Sequence, residues 1–162
     1  VQNGFGDYND TATAITPINL VGNTWTTVTN NGNGAFTNLL YLPTRATRLM
    51  DTSTGRFLFD ELDLGDQVFI RNDIVVNPLT NNSLLEARYV LGTGPDEYVL
   101  TSLVARLDAG SGVDYRFNLG PDFIYIGDTN TRDNPVTLQI RLSTTGTLVN
   151  NGSAIGVTKR GG

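Results

Sequence analysis

The chain has 162 residues, a formal net charge of −5 and only 11 basic side chains, which are scattered along it. An acidic chain of single-domain length without a basic cluster does not fit a nucleic-acid binder, and no apolar run approaches the roughly 18 residues of a membrane span. Cysteine and histidine are both absent, which excludes disulfide frameworks, thiolate nucleophiles, serine–histidine–aspartate triads and the usual zinc sites.

Composition and turn spacing predict an all-β chain. Asn, Thr and the 18 Gly residues are abundant, whereas strong helix formers are scarce. Thr favours a pleated, half-buried surface, and Gly, Asn and Asp favour turns. Turn clusters such as "NNGNG" at 30–34 and "NPLTNN" at 77–82 recur every eight to fifteen residues. This regular spacing is typical of a sandwich or barrel.

In chain order, we predict an extended N-terminal arm, one domain of about ten strands, and a short polar tail. The arm covers 1–11, where Gly, Asn and Asp disfavour regular structure, and we expect it to lie on a neighbouring molecule and to order on binding. The domain covers 12–158 and the tail 159–162. The predicted strand segments cover residues 25–29, 37–42, 47–50, 57–59, 67–76, 84–91, 98–107, 113–119, 123–126, 136–143 and 154–157.

Alternation of apolar and polar residues carries these strand predictions. Within 136–143 every second residue is apolar, and within 113–119 the apolar residues again occupy one face. That period of two is the signature of a half-buried strand. The segment "SLLEARYVL" at 83–91 also fits one helical turn, but its flanking "NN" and "GTG" favour a strand.

The stretch "LDLGDQVFIR" at 62–71 is the clearest fold signal. Gly65 and Asp66 predict a tight turn, because Gly takes positive φ and Asp bonds the backbone ahead. An alternating strand follows. The stretch resembles the "L-x-L-x-x-G-D-x-V" segment of C1q/TNF-like jelly rolls, with a shorter spacing before Gly65. In that family the Gly-Asp turn leads into a central strand of a trimer-forming sandwich, so the resemblance implies a jelly-roll β-sandwich and a homotrimer.

Two further features strengthen the resemblance. A late aromatic strand, "DYRFNL", lies at 114–119, and the chain ends in an apolar strand, "SAIGV", at 153–157. The Asn-, Thr- and Asp-rich texture of 124–153 is similar to that of small phage virion proteins with this fold, namely capsid decoration (cement) proteins and fibre heads. The resemblance implies a virion protein.

Several polar groups invite a chemical interpretation. Asp60, Glu61, Asp63 and Asp66 contain carboxylates of the kind used in glycoside hydrolysis, but their closeness in sequence favours solvated or structural roles at a strand entry. The loop at 122–133 offers oxygen ligands for calcium, yet Asn- and Asp-rich loops usually serve turn geometry. We therefore predict no catalytic residue, no metal site and no cofactor.

Aromatic residues are the predicted binding groups. Four residues are candidate platforms for sugar stacking, with a core position as the alternative for Trp25: Tyr8, Trp25, Tyr41 and Tyr98. Aromatic residues are also enriched in the cores of subunit interfaces, and on this basis we predict five interface residues. They are Tyr115, Phe117, Tyr125, Phe5 and Tyr8.

The sequence and the resemblance together predict a non-enzymatic phage structural protein. Its expected partners are two further copies of itself and the major capsid protein, on the exterior of the virion. The alternative is the receptor-binding head of a phage fibre, whose partner is a host surface glycan.

Overall fold

A computed structural model describes residues 2–161. The chain forms eleven strands, two short α-helices and one 3₁₀ turn in this range. The strands are β1 (Gly4–Asn9), β2 (Ile18–Leu20), β3 (Thr26–Thr27), β4 (Met50–Asp51), β5 (Arg56–Phe57), β6 (Gln67–Pro78), β7 (Ser83–Leu91), β8 (Tyr98–Leu107), β9 (Tyr115–Tyr125), β10 (Thr137–Leu142) and β11 (Gly146–Thr158). The helices are α1 (Ala12–Ile15) and α2 (Thr129–Asp133), and the 3₁₀ turn covers Gly94–Asp96.

Two antiparallel sheets form the sandwich. Sheet A has the order β1-β11-β6-β9, with β2 also on β11, and sheet B has the order β3-β10-β7-β8. The chain passes between the sheets from β2 to β3, β6 to β7, β8 to β9, β9 to β10 and β10 to β11, and the last strand lies beside the first. This connectivity is that of a jelly roll. The predicted antiparallel jelly-roll sandwich is confirmed.

The core lies between the two sheets and follows the predicted alternation. In β6 every second residue from Val68 to Pro78 is buried, and β7 and β10 show the same pattern. Ile70, Leu85 and Ile140 are fully buried, and burying each such side chain contributes roughly 1.5–3 kcal/mol. The segment 83–91 is a strand, so the helical alternative is wrong.

One strand, β9, replaces the two predicted at 113–119 and 123–126. It runs through Gly120 and Pro121, where the register with β6 shifts by one residue opposite Arg71. Pro121 has no backbone N–H, and it is tolerated because it lies at the bulge of an edge strand, where no hydrogen bond to β6 is needed. Such a bulge exchanges the two faces of a strand. Odd-numbered residues of β9 therefore face the core before the bulge and face solvent after it.

Residues Gly4–Asn9 form a strand within sheet A of the same chain. The prediction of an extended arm over 1–11 is therefore wrong for these residues. These residues pair with residues 152–157 of β11. Sheet pairing uses backbone groups, which the polar composition of the segment does not weaken. Gly4 is required by close approach, because a Cβ there would collide with the carbonyl of Tyr41.

The segment 34–44 covers the outer edge of β1. The amide of Phe5 donates to the carbonyl of Tyr41 at 2.8 Å, and Asp7 and Asn38 exchange two backbone hydrogen bonds. The predicted strand at 37–42 is thus an irregular edge segment with one bridge to β1. An unpaired edge strand is open to association with other chains, and this segment closes that edge.

A buried ion pair anchors Lys159, the first residue of the tail predicted at 159–162, of which the structure describes residues 159–161. Lys159 is 3% exposed and its Nζ donates to Asp66, which is fully buried, and to Asp63 at 2.9 Å. The other oxygen of Asp66 accepts from the amide of Arg160 at 2.9 Å. The predicted turn is present as well, since Gly65 has a φ of 95°.

Two opposing effects act on the pKa of Lys159. Burial lowers this pKa, but hydrogen bonds from the ammonium to Asp66 and Asp63 outweigh burial and raise it above the ordinary value. A raised lysine pKa means that the stabilisation is complete below the unfolded-state pKa and is lost as the pH rises through the folded-state value. The ion pair therefore persists into the alkaline range.

We predict that Lys159→Met lowers the free energy of unfolding by about 3–5 kcal/mol, because removing one partner leaves the Asp66 carboxylate buried and unpaired. Urea unfolding at neutral pH measures this loss. The matched control is Arg56→Met at an exposed position, which we expect to shift stability by less than about 0.5 kcal/mol. Equal stabilities for the two variants would contradict the structural role of Lys159.

Candidate functional site

The acidic cluster around the start of β6 is occupied by ion pairs. Arg48 binds Glu61 at 2.6 Å and Asp60 at 2.9 Å, while Lys159 binds Asp63 and Asp66. Glu61 also accepts from the amide and hydroxyl of Thr47. These four carboxylates therefore join chain segments instead of converging across a cleft.

In the Asn- and Asp-rich segment at 122–133, residues 122–125 end strand β9, and the rest form the short helix α2 and its connection. Asp128 caps this helix by accepting from the amide of Thr131 at 2.8 Å, and this hydrogen bond lowers the pKa of Asp128. Asn130 binds the backbone of Thr93 with both ends of its amide. Among residues 2–161 no three Asp or Glu side chains come together in a way that suits a metal ion.

Three of the five predicted interface residues point into the sandwich. Tyr8 is 1% exposed and its hydroxyl accepts from the amide of Leu49, so it is a core residue and its prediction as an interface residue is wrong. Tyr115 and Phe117 precede the bulge of β9, pair with inward-facing residues of β6 and pack half-buried against the core. Only Phe5 and Tyr125 lie on the surface, 43% and 63% exposed.

A stripe of exposed aromatic residues crosses the outer face of sheet A. The register places Phe5 of β1 opposite Gly156 of β11, Gly156 opposite Phe69 of β6, and Phe69 opposite Phe123 of β9. Phe123 and Tyr125 point outward because they follow the bulge. We call the following set the aromatic stripe: Phe5, Tyr41, Phe69, Phe123 and Tyr125.

The members of the aromatic stripe contact one another at both edges of the sheet. The ring centroids of Phe5 and Tyr41 lie 5.6 Å apart, those of Phe69 and Phe123 5.3 Å, and those of Phe123 and Tyr125 6.0 Å. Gly156 separates the two groups and adds no side chain. The result is a low aromatic surface that spans sheet A and is 38% to 63% exposed at each member.

On the side opposite β1, both sheets end in long strands without an outer partner. Within residues 2–161, β8 pairs only with β7, and β9 pairs only with β6. Large apolar side chains on β8 are exposed, with Leu103 at 67% and Tyr98 at 63%. Long apolar edge strands of this kind are templates for contact with another chain.

A cleft opens between these two edges, and we call it the β8–β9 cleft. It has two adjoining parts of about 440 Å³ and about 640 Å³, which share Leu100 and Phe123. Its lining residues include four carboxylates and neither Lys nor Arg. These acidic residues are Asp96, Glu97, Asp122 and Asp128.

A chain of polar groups runs from the base of the cleft into the core. The hydroxyl of Tyr89 donates to Asp122 at 3.0 Å and accepts from the amide of Asn72 at 2.7 Å, and Asn72 accepts from Ser153. Burial, followed by the charge of Asp122, raises the pKa of Tyr89 well above its ordinary value. Sequence reasoning missed this network, because its members are 17 to 81 residues apart along the chain.

Trp25 lies half-buried on the outer face of sheet B and is not a core residue. The guanidinium groups of Arg88 and Arg141 lie 4.3 and 4.6 Å from its ring centre, and Arg141 also pairs with Glu86 at 2.7 Å. Cation–π contacts of this kind stabilise the packing of the ring. Trp25 therefore joins β3 to the neighbouring strands, and its ring is engaged by its own chain.

Comparisons with known proteins add little. No family model and no curated protein matches the chain. A solved structure described as infectious bursal disease virus, Gx strain, is similar over 99% of this chain with 13% identity and a TM-score of 0.39. The chain spans 56% of that longer chain. The fold assignment therefore rests on the strand pairing described above. No helix within residues 2–161 has the length and apolar character to cross a membrane.

We predict that Tyr89→Phe lowers the free energy of unfolding by about 1–3 kcal/mol, because it leaves the buried amide of Asn72 without its acceptor. The matched control is Tyr98→Phe, which removes a hydroxyl from an exposed side chain. Chemical unfolding of both variants measures the difference. An unfolding free energy for Tyr89→Phe equal to that of the control would refute a stabilising role for the network.

Proposed function

We propose that this chain is a non-enzymatic structural protein of a virion, which assembles as a homotrimer and attaches to the major capsid protein on the capsid exterior. The aromatic stripe is the observation that carries the proposal. Support also comes from the jelly-roll fold and from the resemblance of the sequence to phage decoration proteins.

The exposed area of the aromatic stripe favours coverage of the stripe by a partner. A covered aromatic side chain buries about 150–250 Å², so five members at half exposure leave roughly 500 Å² open. That area is at the upper end of the roughly 300–600 Å² of the largest apolar patch on a typical monomer. For an acidic, Asn- and Thr-rich chain, such a patch is costly unless a partner removes it from water.

A second copy of the same chain is the occupant that fits the stripe. The stripe runs from one edge of sheet A to the other, so copies arranged around an axis each bring one stripe toward it. The nearby charges are already matched, since Arg71 pairs with Asp73 at 3.2 Å, and Gly156 allows close approach of backbones. A trimer then joins three capsid contacts, and linked weak contacts bind far more tightly than one.

Partnered polar groups favour a structural role over an enzymatic one. Asp60, Glu61, Asp63 and Asp66 hold ion pairs, and Tyr89 holds two hydrogen bonds. A catalytic acid or base must lie within hydrogen-bond distance of the substrate, whereas these groups are engaged by partners in their own chain.

A fibre head that recognises host glycans is the second candidate. Tyr98 is 63% exposed at the rim of the β8–β9 cleft, next to the carboxylates of Asp96 and Glu97. An exposed aromatic face beside hydrogen-bond acceptors suits a sugar ring. Binding of the purified chain to a glycan array distinguishes this function from capsid attachment.

We predict that the chain sediments at three times its mass of 17.5 kDa and that Phe69→Glu converts it to monomers, because a charge in the stripe is desolvated on association. The matched control is Leu79→Glu, at a 63% exposed position in the β6–β7 turn, which we expect to remain trimeric. A monomeric wild-type protein at all concentrations would overturn the proposed assembly.

Capsid attachment is tested by co-sedimentation with tailed-phage capsids that lack their own decoration protein. We expect the wild-type protein to pellet with capsids and Phe69→Glu to pellet far less, because a monomer binds through one capsid contact instead of three linked ones. Glycan-array binding without co-sedimentation would replace the capsid function with the fibre-head function.

A further inference from the structure

We propose that neighbouring copies join head to tail, with residues 34–45 of one copy seated in the β8–β9 cleft of the next. We call residues 34–45 the apolar loop. This inference deepens the proposed self-assembly and rests on it: it names the two different surfaces that meet at each subunit contact.

The apolar loop is a fixed projection. Phe36 and Leu40 are 83% and 84% exposed, and among the large apolar side chains of the described residues only Ile15, also at 84%, is as exposed. Backbone hydrogen bonds to β1 hold the loop, including Gly34 to Asn9 and Phe5 to Tyr41, both at 2.8 Å. Because the backbone is already ordered, docking of the loop loses little conformational entropy.

The charge of the loop is complementary to that of the cleft. The apolar loop contains no acidic residue and one exposed basic residue, Arg45. The β8–β9 cleft has apolar walls that include Leu100 and Leu103, four lining carboxylates and no basic lining residue. A projecting apolar segment with a positive charge therefore matches a concave apolar surface with a negative rim.

The position of the two surfaces fixes the kind of assembly. The loop lies outside β1 and the cleft lies beside β9, and β1 and β9 are the opposite edges of sheet A. Contact between two different surfaces of one chain is heterologous, and successive heterologous contacts close into a ring when the rotation permits. In that ring the outer faces of sheet A, with the aromatic stripe, line the axis.

The stripe and the proposed contact form one continuous surface. At the loop end, Tyr41 belongs to both the stripe and the apolar loop, and it stacks on Phe5. At the cleft end, Phe123 belongs to the stripe and also lines the cleft. A head-to-tail contact therefore buries both ends of the stripe, and no other surface of the chain has to take part.

The treatment of the sheet edges agrees with this arrangement. The β1 edge is covered by the apolar loop, and β3, the corresponding edge of sheet B, is only two residues long. The ten residues of β8 and the eleven of β9 have no outer partner within residues 2–161. The edges left open are those that a neighbour would cover.

Two complementary variants test the contact. Leu40→Asp adds a negative charge to the loop of a copy whose cleft is intact, and Leu103→Asp adds one to the cleft of a copy whose loop is intact. Both positions are highly exposed, at 84% and 67%, so the fold should be preserved, and circular dichroism with an unfolding curve verifies this. Leu79→Asp is the control at an exposed apolar position outside both surfaces.

We expect each variant alone to sediment as a monomer and an equimolar mixture to form a dimer of twice 17.5 kDa. The loop of the Leu103→Asp protein then enters the cleft of the Leu40→Asp protein, and a second contact is blocked. A mixture that stays monomeric, or a single variant that assembles like the control, would overturn the inference.

The two proposals fail in different ways. If the wild-type protein is trimeric and both variants remain trimeric, only the head-to-tail contact is refuted and self-assembly stands. If the wild-type protein is itself a monomer at all concentrations, the proposed function fails before the pairing is tested.

Discussion

The register between β6 and β11 is the constraint on which the other features of this protein depend. The two strands pair over almost their whole length, with one irregularity between Asn150 and Gly152. Because side chains alternate at every residue, this register decides which residues of sheet A face the core. It places Gly156 beside Phe69, so no side chain stands between the two groups of the aromatic stripe. It also places Ser153 beside Asn72, which starts the buried network toward Tyr89.

The same register explains the anchoring of the chain end. Thr158 pairs with Gln67, so Lys159, the residue after β11, lies beside Asp66, the residue before β6. A single extra or missing residue in either strand would separate the two charges, each of which is costly to bury alone. The buried ion pair therefore selects one register among those that the hydrophobic pattern allows, in addition to any net stabilisation.

Sequence reasoning succeeded where the determining pattern is local. Alternation over 67–76 predicted one strand closely, the turn clusters that flank 84–91 and 98–107 delimited two more, and Gly65 and Asp66 predicted the turn before β6. It failed where the partner is remote: β1 forms because β11, about 150 residues away, supplies its backbone partners. The outward phase of Phe69 within an alternating strand was a usable signal for the stripe. Phe123 faces outward because of the bulge at Gly120 and Pro121. In the sequence, a Gly-Pro pair is equally consistent with a turn, so the bulge could not be predicted.

The polar base of the β8–β9 cleft restricts what can occupy it. Covering the cleft removes water from Asp122 and the rim carboxylates, and a buried charge without hydrogen bonds is strongly unfavourable. A purely apolar occupant would therefore bury area and still bind poorly. The apolar loop brings the guanidinium of Arg45 and the side-chain amide of Asn38, so it supplies donors as well as apolar surface. By this argument the exposed leucines provide most of the affinity, and the acidic rim provides orientation and rejects acidic alternatives.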